Sequence, residues 1–496
     1  MRQKVIIALL CLSSCTLISI NQSSSIQEPI NYKGTQYHPI NSSIPLFKRS
    51  LIGDTLYKLD NSIQLKSNAF GSNKLAVPIQ LIENKTNGFP NQCALHLKRL
   101  SRESLPANLE NFQATEYYQI TFSKGQINIS AFTESGCANG LGTLYYFLQK
   151  AEAKELNLIE IRDWPDTPRR VLQVLLKGMD PEVVKQVIER AWMSHYNMIL
   201  LHTHNSVRFK SLKKFSQEYA MPVNTYLEVV DHIRALGIEV VPHFNFLTHQ
   251  KAAFIHGENS NEMLYNAQTI NPNSKEAKEL IFQVIDEVDS LIHPAYFHIG
   301  FDEVVGHNAK QIEKYGSLLP AKDFLAHLVN VYTYLNYKGI ETWIWGDMLL
   351  KESDFPDMHI GSLHANSEYA NLIDCIPKDI VICDWHYREY KRRKLRKYDY
   401  SSLTYFTAKG FKTYGASYED TRAIRAFSKN AYQENNELFQ GMIATTWHKL
   451  LNGTVDRPSS DSLKSFDAIL SNSAEAFWNA SAIEGPPFMK VKSSTN

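Results

Sequence analysis

Asp302 and Glu303 stand side by side in the segment His298-Ile-Gly-Phe-Asp-Glu-Val-Val-Gly-His307, directly after the apolar run Ala295–Gly300. Like charges at neighbouring positions repel. They persist either in a solvated loop or where chemistry uses both. Two carboxyls can do acid–base work when their surroundings push their proton affinities apart, so that one is ionised while the other keeps its proton near neutral pH. Which of the two holds depends on what positions the pair.

Beyond Asp163 the pattern alternates strand and helix. Apolar, partly β-branched runs occur at Val171–Leu176, Asn197–His202, Gly237–Phe244, Ala295–Gly300, Thr342–Trp345, Ile380–Trp385, Phe411–Ser417 and Gly441–Trp447. Amphipathic stretches such as Glu182–Ser194 and Ser274–Ile292 separate most of them. Near-continuous apolar strands belong to a parallel sheet covered on both faces, and eight such units predict an α/β fold of the (β/α)8 TIM-barrel type. Catalytic side chains in such a barrel stand where strands end and loops begin. Asp302 and Glu303 occupy that position on the fourth strand. In a regular strand they would point to opposite faces, so both reach the mouth only if the chain bends out of the sheet. Ahead of the barrel, Tyr118–Phe122 and Gln126–Ser130 read as a hairpin turning at Lys124-Gly125, Gly136–Leu148 as a helix, and Leu75–Leu81 as a strand. These predict a small α+β domain over 74–160 and a barrel over 161–485. Residues of roughly 30 to 70 show no clear periodicity.

The chain has 496 residues, 44% hydrophobic and 21% charged, with 52 Lys plus Arg against 51 Asp plus Glu. That balance exerts no global pull on nucleic acid. The basic run Arg388–Lys397 is local, either a solvated face or a contact for an anionic glycan. At the N-terminus, Arg2 and Lys4 precede Val5–Leu12, far short of the ~20 apolar residues that span a bilayer. This fits a signal peptide. Leu12-Ser-Ser-Cys15 resembles the bacterial lipoprotein box. That resemblance implies a signal over 1–14, lipidation of Cys15, a tether and irregular segment over 15–73, and an exported protein anchored at the cell envelope, on the outer membrane. Cys93, Cys137, Cys375 and Cys383 match no zinc spacing. Cys137 and Cys383 lie in apolar surroundings and read as small buried side chains.

His298-Ile-Gly-Phe-Asp-Glu-Val304 resembles the His/Gly/Asp/Glu signature of glycoside hydrolase family 20, the β-N-acetylhexosaminidases. Glu116–Ala131 followed by Gly136 and Gly140-Leu-Gly-Thr-Leu144 is similar to the small domain that precedes the barrel in that family. Asp163-Trp-Pro-Asp-Thr-Pro-Arg-Arg170 resembles the lead-in to its first strand, and Gly237–Pro242 with His249 its third strand and loop. The resemblance implies release of terminal β-linked N-acetylhexosamine with retained configuration. The substrate's own acetamide is the nucleophile, Glu303 the general acid/base and Asp302 the stabiliser, with no metal or cofactor. It further implies sugar contacts from Arg170, Trp345, Trp385, Trp447, Tyr414 or its competitor Tyr387, and His249 beside the acid. For Arg170 the alternative is an ion pair at the barrel bottom; for the tryptophans it is plain core.

The chain departs from the family pattern in several places. Phe301 replaces a small residue. Trp447-His448-Lys449 replaces Trp-x-Glu, Ala416 stands where an Asp is usual, and Asn205 stands in for an Asp. The His243–Phe246 segment also lacks the usual acids. The losses suggest an altered sugar pocket in which His448 or Lys449 accepts a modified or charged sugar. Two other readings remain open: a glycan-binding lipoprotein that no longer cuts, and a glycosidase using Asp347 or Asp384 as a carboxylate nucleophile.

Overall fold

Eight parallel strands close into a barrel in the computed structural model, which describes residues 44–45, 47–71, 73–149, 155–250, 262–356, 358, 364–388, 400–447 and 460–482. The apolar run Val5–Leu12 and Cys15, the basic run after Arg388, and His448 and Lys449 lie outside the described residues. Among the described residues no helix is long and apolar enough to cross a membrane.

The strands ahead of the barrel are β1 (Arg49–Lys58), β2 (Asn61–Asn68), β3 (Asn91–Arg99), β4 (Tyr118–Ser123), β5 (Gln126–Ala131) and β6 (Glu155–Asp163). They form one sheet in the order β1-β6-β4-β5-β3-β2. Two of its strands precede residue 74, in the stretch without visible periodicity. The helix Glu134–Gln149 packs on this sheet and is buried along most of its length. The Leu75–Leu81 stretch is not a strand. It opens the helix Ala76–Thr86, whose Pro78 sits in the first turn, where a missing N–H costs nothing. Its buried Leu75, Ile79, Ile82 and Thr86 follow helical spacing, which here outcompetes the period-two pattern of Leu75, Val77, Ile79 and Leu81.

The barrel strands are β7 (Arg169–Leu175), β8 (Met198–His202) and β9 (Glu239–His243), then, after a short hairpin of β10 (Leu264–Asn266) and β11 (Thr269–Ile270), β12 (Tyr296–His298), β13 (Glu341–Trp345), β14 (Val381–Trp385), β15 (Thr413–Ser417) and β16 (Phe439–Ala444). They pair in parallel around the ring, and β16 closes on β7 with Met442 opposite Arg170. β8, β14 and β15 are buried at every position, as strands covered on both faces must be. Side chains alternate between two cores. Val171, Met198, Val241, Trp343, Val381 and Tyr414 fill the barrel interior. Leu172, Ile199, Ile344 and Ile382 pack outward under the helices. Asp180 caps the helix Pro181–Met193 through the Glu182 N–H, and Pro181 opens it, so the chain turns sharply after β7.

The small domain is fastened to the barrel's N-terminal end. Arg170 pairs with Glu116, and its Nε and Nη1 donate to the carbonyls of His195 at 2.8 Å and Thr167 at 2.7 Å. Tyr118 Oη bonds Thr143 at 2.8 Å and donates to Asp163 at 3.1 Å. Burial pushes Asp163 up to about 7, against the opposing pull of Trp478, Lys48 and Tyr118.

Candidate active site

β12 ends at His298, and the chain then leaves the sheet. Gly300, Phe301 and Glu303 all take left-handed backbone angles, with φ of 80°, 75° and 46°. A Cβ on Gly300 would lie 2.6 Å from Asn245 Oδ1, so both the angle and the space require glycine there. For Phe301 the left-handed angle costs roughly 1–2 kcal/mol. Burial of its ring against Phe324 and His327 offsets this. The bend brings Asp302 and Glu303 to one cavity at the C-terminal mouth. Strain gathers at this end: His204, His249 and Trp447 also have positive φ and line the same cavity.

The two carboxyls are in different electrostatic states. Asp302 is buried. Burial alone would raise its pKa, but the charge and hydrogen bond of His249, then the charge of His243, carry it below the usual carboxylate range. His249 Nε2 lies 3.2 Å from Asp302 Oδ2 and 3.6 Å from Glu303 Oε2. Burial opposes its charge, yet Asp302, Glu303 and Asp347 lift it to about 9. Glu303 is half exposed; burial, then Asp302 and Asp347, raise its pKa. Thr248 Oγ1 donates to Asp302 Oδ1 at 3.3 Å.

Asp347, just past β13, lies behind Glu303. Its oxygens accept from the Glu303 N–H at 2.9 Å and Trp385 Nε1 at 3.2 Å, and His364 Nδ1 lies 2.8 Å away. Trp385 stacks on Tyr387 with ring centroids 4.8 Å apart, and Trp447 Nε1 donates to Tyr387 Oη at 3.0 Å. These three rings form an aromatic wall. The cavity measures about 270 Å³ and is completed by Lys177, His202, His204 and neighbouring residues of the first two barrel strands. Beneath Asp302, the imidazoles of His202 and His243 stack at 4.0 Å, and His298 lies 4.3 Å from His243. Burial holds His202 and His298 well below their ordinary range, and His243 down to about 4. This column is therefore neutral at physiological pH.

Of the residues expected at the site, Asp302, Glu303, His249, Trp385, Tyr387 and Trp447 line the cavity together. Three do not. Arg170 lies near the start of β7, at the opposite end of the barrel, and its side chain is consumed by Glu116 and backbone carbonyls. It forms the ion pair at the barrel bottom rather than a sugar contact. Tyr414 is the second residue of β15 and fills the barrel interior, its ring 4.4 Å from Trp343. Tyr387, beyond the end of β14, is the tyrosine at the mouth. Trp345 lies one layer below the cavity, 4.4 Å from His298 and 6.0 Å from Trp447. Asp384 is no candidate nucleophile: it alternates outward from Cys383 and Trp385 and is buried against His386 at 2.9 Å and Ser402 at 2.7 Å. Asn205 lines the cavity, and Ala416 sits beside Trp385 in the interior. Lys177 and Gln173 carry no motif that would single them out in the sequence, and His202 and His204 lie in the Leu201–Asn205 segment, where only Asn205 stands out; all lie toward the C-terminal ends of their strands. Gln173 Oε1 accepts from the N–H groups of Thr446 at 3.0 Å and Trp447 at 3.2 Å, and so ties β7 to the loop carrying Trp447.

A search of curated protein sequences finds no match. The fold is similar to that of beta-N-acetylhexosaminidase from Bacteroides fragilis NCTC 9343 (TM-score 0.60, 18% identity, covering 88% of this chain and 91% of that one). It is also similar to the GH20 beta-N-acetylhexosaminidase from Streptomyces coelicolor A3(2) (TM-score 0.60, 16% identity, covering 90% and 92%). A third likeness is to a mutant Streptomyces plicatus beta-hexosaminidase in complex with product, GlcNAc (TM-score 0.59, 14% identity, covering 90% and 92%). At such identities these likenesses show the fold. The sequence family described as "Glycosyl hydrolase family 20, catalytic domain" matches residues 190–478, more than half of the chain. The chain therefore belongs to glycosyl hydrolase family 20 and is a glycosidase of the β-N-acetylhexosaminidase-like kind.

Proposed function

We propose that this protein removes non-reducing terminal β-linked N-acetylhexosamine from glycans by substrate-assisted, retaining hydrolysis. The observation that carries the reading is the pair itself: adjacent carboxyls in one cavity, Asp302 held ionised by His249 and Glu303 biased toward keeping its proton. Protonated Glu303 donates to the glycosidic oxygen as the acetamide carbonyl oxygen attacks the anomeric carbon. The C–O bond to the leaving group breaks, and a bicyclic oxazolinium forms. The Asp302 carboxylate accepts the acetamide N–H and offsets the positive charge. Glu303, now ionised, takes a proton from water, which attacks the anomeric carbon from the face the leaving group vacated. The acetamide reforms with net retention. Trp385 and Trp447 offer flat apolar faces to the sugar's C–H surface. Tyr387 Oη accepts from Trp447 and lies beside Thr445, and its O–H turns to the acetamide oxygen when substrate binds. A cavity of about 270 Å³ suits one sugar unit and so exo action. We place the enzyme at the cell envelope on the strength of the leader and Cys15.

The test is hydrolysis of 4-nitrophenyl β-GlcNAc, β-GalNAc and β-glucoside by the wild type and by Glu303→Gln. Turnover of an N-acetyl substrate and not the glucoside, lost in the variant, is the expected result. Equal turnover of the glucoside would point to Asp347 as a carboxylate nucleophile. No turnover of any would favour a glycan-binding protein.

A further inference from the structure

The cavity has two unlike walls. One carries its carboxylates, Asp302 and Glu303, after β12. The other follows β7 and β8 and presents Lys177, His202, His204, Asn205 and Ser206, with no acid among them. Lys177 is half-buried and makes no ion pair among the described residues. A cation at a cavity edge without a carboxylate partner is a site seeking an anion. Two side chains of this wall are more than nine-tenths buried and have unpartnered ring nitrogens: both Nδ1 and Nε2 of His202, and Nδ1 of His204. Buried polar atoms are nearly always paired, so the single N–H of each of these neutral rings is left to meet a ligand's oxygen. His204 is further held at φ 45°, a strained angle for a residue with a side chain. Neutral imidazoles supply N–H donors without adding charge that would repel Lys177.

We propose that the wall after β7 and β8 binds an anionic oxyanion substituent, a sulfate or carboxylate group, carried by the sugar in the cavity. The proposal rests on the hydrolase reading above and names its substrate class. Lys177 supplies the charge; His202, His204 and the polar groups of Asn205 and Ser206 surround the oxygens. The carboxylate wall is left to the acetamide and the scissile bond. An unsubstituted sugar would leave Lys177 and the imidazole N–H groups unpaired, which a buried site penalises.

Two measurements test this separately from the hydrolase reading. Calorimetry with the Glu303→Gln protein compares GlcNAc, its 3-, 4- and 6-O-sulfates and a hexuronic acid, and needs no turnover. At least one anionic sugar should bind roughly tenfold or more tightly than GlcNAc, the size of one charge-assisted hydrogen bond, and Lys177→Met should abolish that ratio. The arms separate sulfate from carboxylate. Equal or weaker binding of every anionic sugar, no binding of any sugar, or a ratio unchanged in Lys177→Met, overturns the proposal. Hydrolysis of the corresponding 4-nitrophenyl glycosides is the second measurement. Absent turnover with preserved anion preference would sink the hydrolase reading and leave the anion site standing. Turnover of plain β-GlcNAc as the best substrate would do the reverse.

Discussion

His249→Gln probes the electrostatic division between the two carboxyls. The imidazole bridges Asp302 at 3.2 Å and Glu303 at 3.6 Å, and its pKa of about 9 keeps it charged through neutral pH. Unit charges about 4 Å apart attract by roughly 4 kcal/mol at an effective dielectric near 20. His249 is 35% exposed, so solvent screening removes more than half of that figure. About 1.5 kcal/mol is left for Asp302, or roughly tenfold in its proton affinity. Without the cation, burial is opposed only by His243 and the remaining hydrogen bonds, and Asp302 holds its proton to higher pH. Glu303 also loses a cation that lowers its pKa and keeps its proton longer. Both limbs of the pH profile of kcat/KM should therefore move up. The acid limb should shift up by about one pH unit in the variant relative to the wild type. The same charge is linked to folding. The pKa of His249 is raised in the fold, so its stabilisation is full below about 6.5 and is lost as pH rises through about 9. After discounting for exposure, the wild type should lose about 1 kcal/mol over that interval that His249→Gln does not. The assays are initial rates from pH 4 to 9 and urea unfolding at pH 6 and 9. A uniform loss of rate with an unmoved acid limb would refute the electrostatic role and leave His249 only to position Asp302.

Arg170→Met should destabilise the fold by about 3–5 kcal/mol, because it leaves Glu116 buried without its cation. KM of the folded fraction should be unchanged and Glu116→Gln should partly restore stability; a raised KM with normal unfolding would return Arg170 to the site. Tyr387→Phe should cut kcat on N-acetyl substrates about tenfold or more through lost positioning of the acetamide, with a loss of stability of about 1 kcal/mol from the broken Trp447 bond. An unchanged kcat would remove Tyr387 from that role. Gly300→Ala should cost about 2 kcal/mol or more from its φ of 80° and the clash with Asn245, and should lower activity by displacing the bend before Asp302. Wild-type thermal unfolding and rate would show that the bend is not rigidly set.

The barrel could be read from the chain because its strands are buried on both faces, which leaves long apolar runs that no solvated face interrupts. All eight runs contain an observed strand or its main part; only the ends differ, as with Gly441–Trp447, where β16 stops at Ala444. The small domain was harder to read. β1 pairs with β6 through two register shifts, so its ten residues carry no steady alternation to detect. Ala76–Thr86 supports both a period-two and a helical pattern, and only the sheet beneath it decides between them.

The site was legible to the extent that distance from a strand's end was respected. Asp302, Glu303, His249, Tyr387 and Trp447 all follow the last residue of a strand, and Trp385 is itself a last residue; each lines the cavity. Arg170 and Tyr414 are second residues of their strands, about a barrel's height from the mouth. Alternation also excludes Arg170 from the interior. Val171 and Tyr414 point inward, so Arg170 must point outward, toward the small domain where Glu116 waits. Motif likeness favoured Arg170 because an arginine beside a strand suits sugar hydroxyls chemically, but chemistry cannot act across the length of a barrel. Applied to every strand, the same rule selects Leu175, Lys177, His202 and His204. It follows that the ends of the first two strands hold the wall that distinguishes its pocket. The fourth strand, which the signature does mark, holds the reacting carboxyls. Substrate preference should therefore change with substitutions after β7 and β8, while the pH profile changes with those around Asp302.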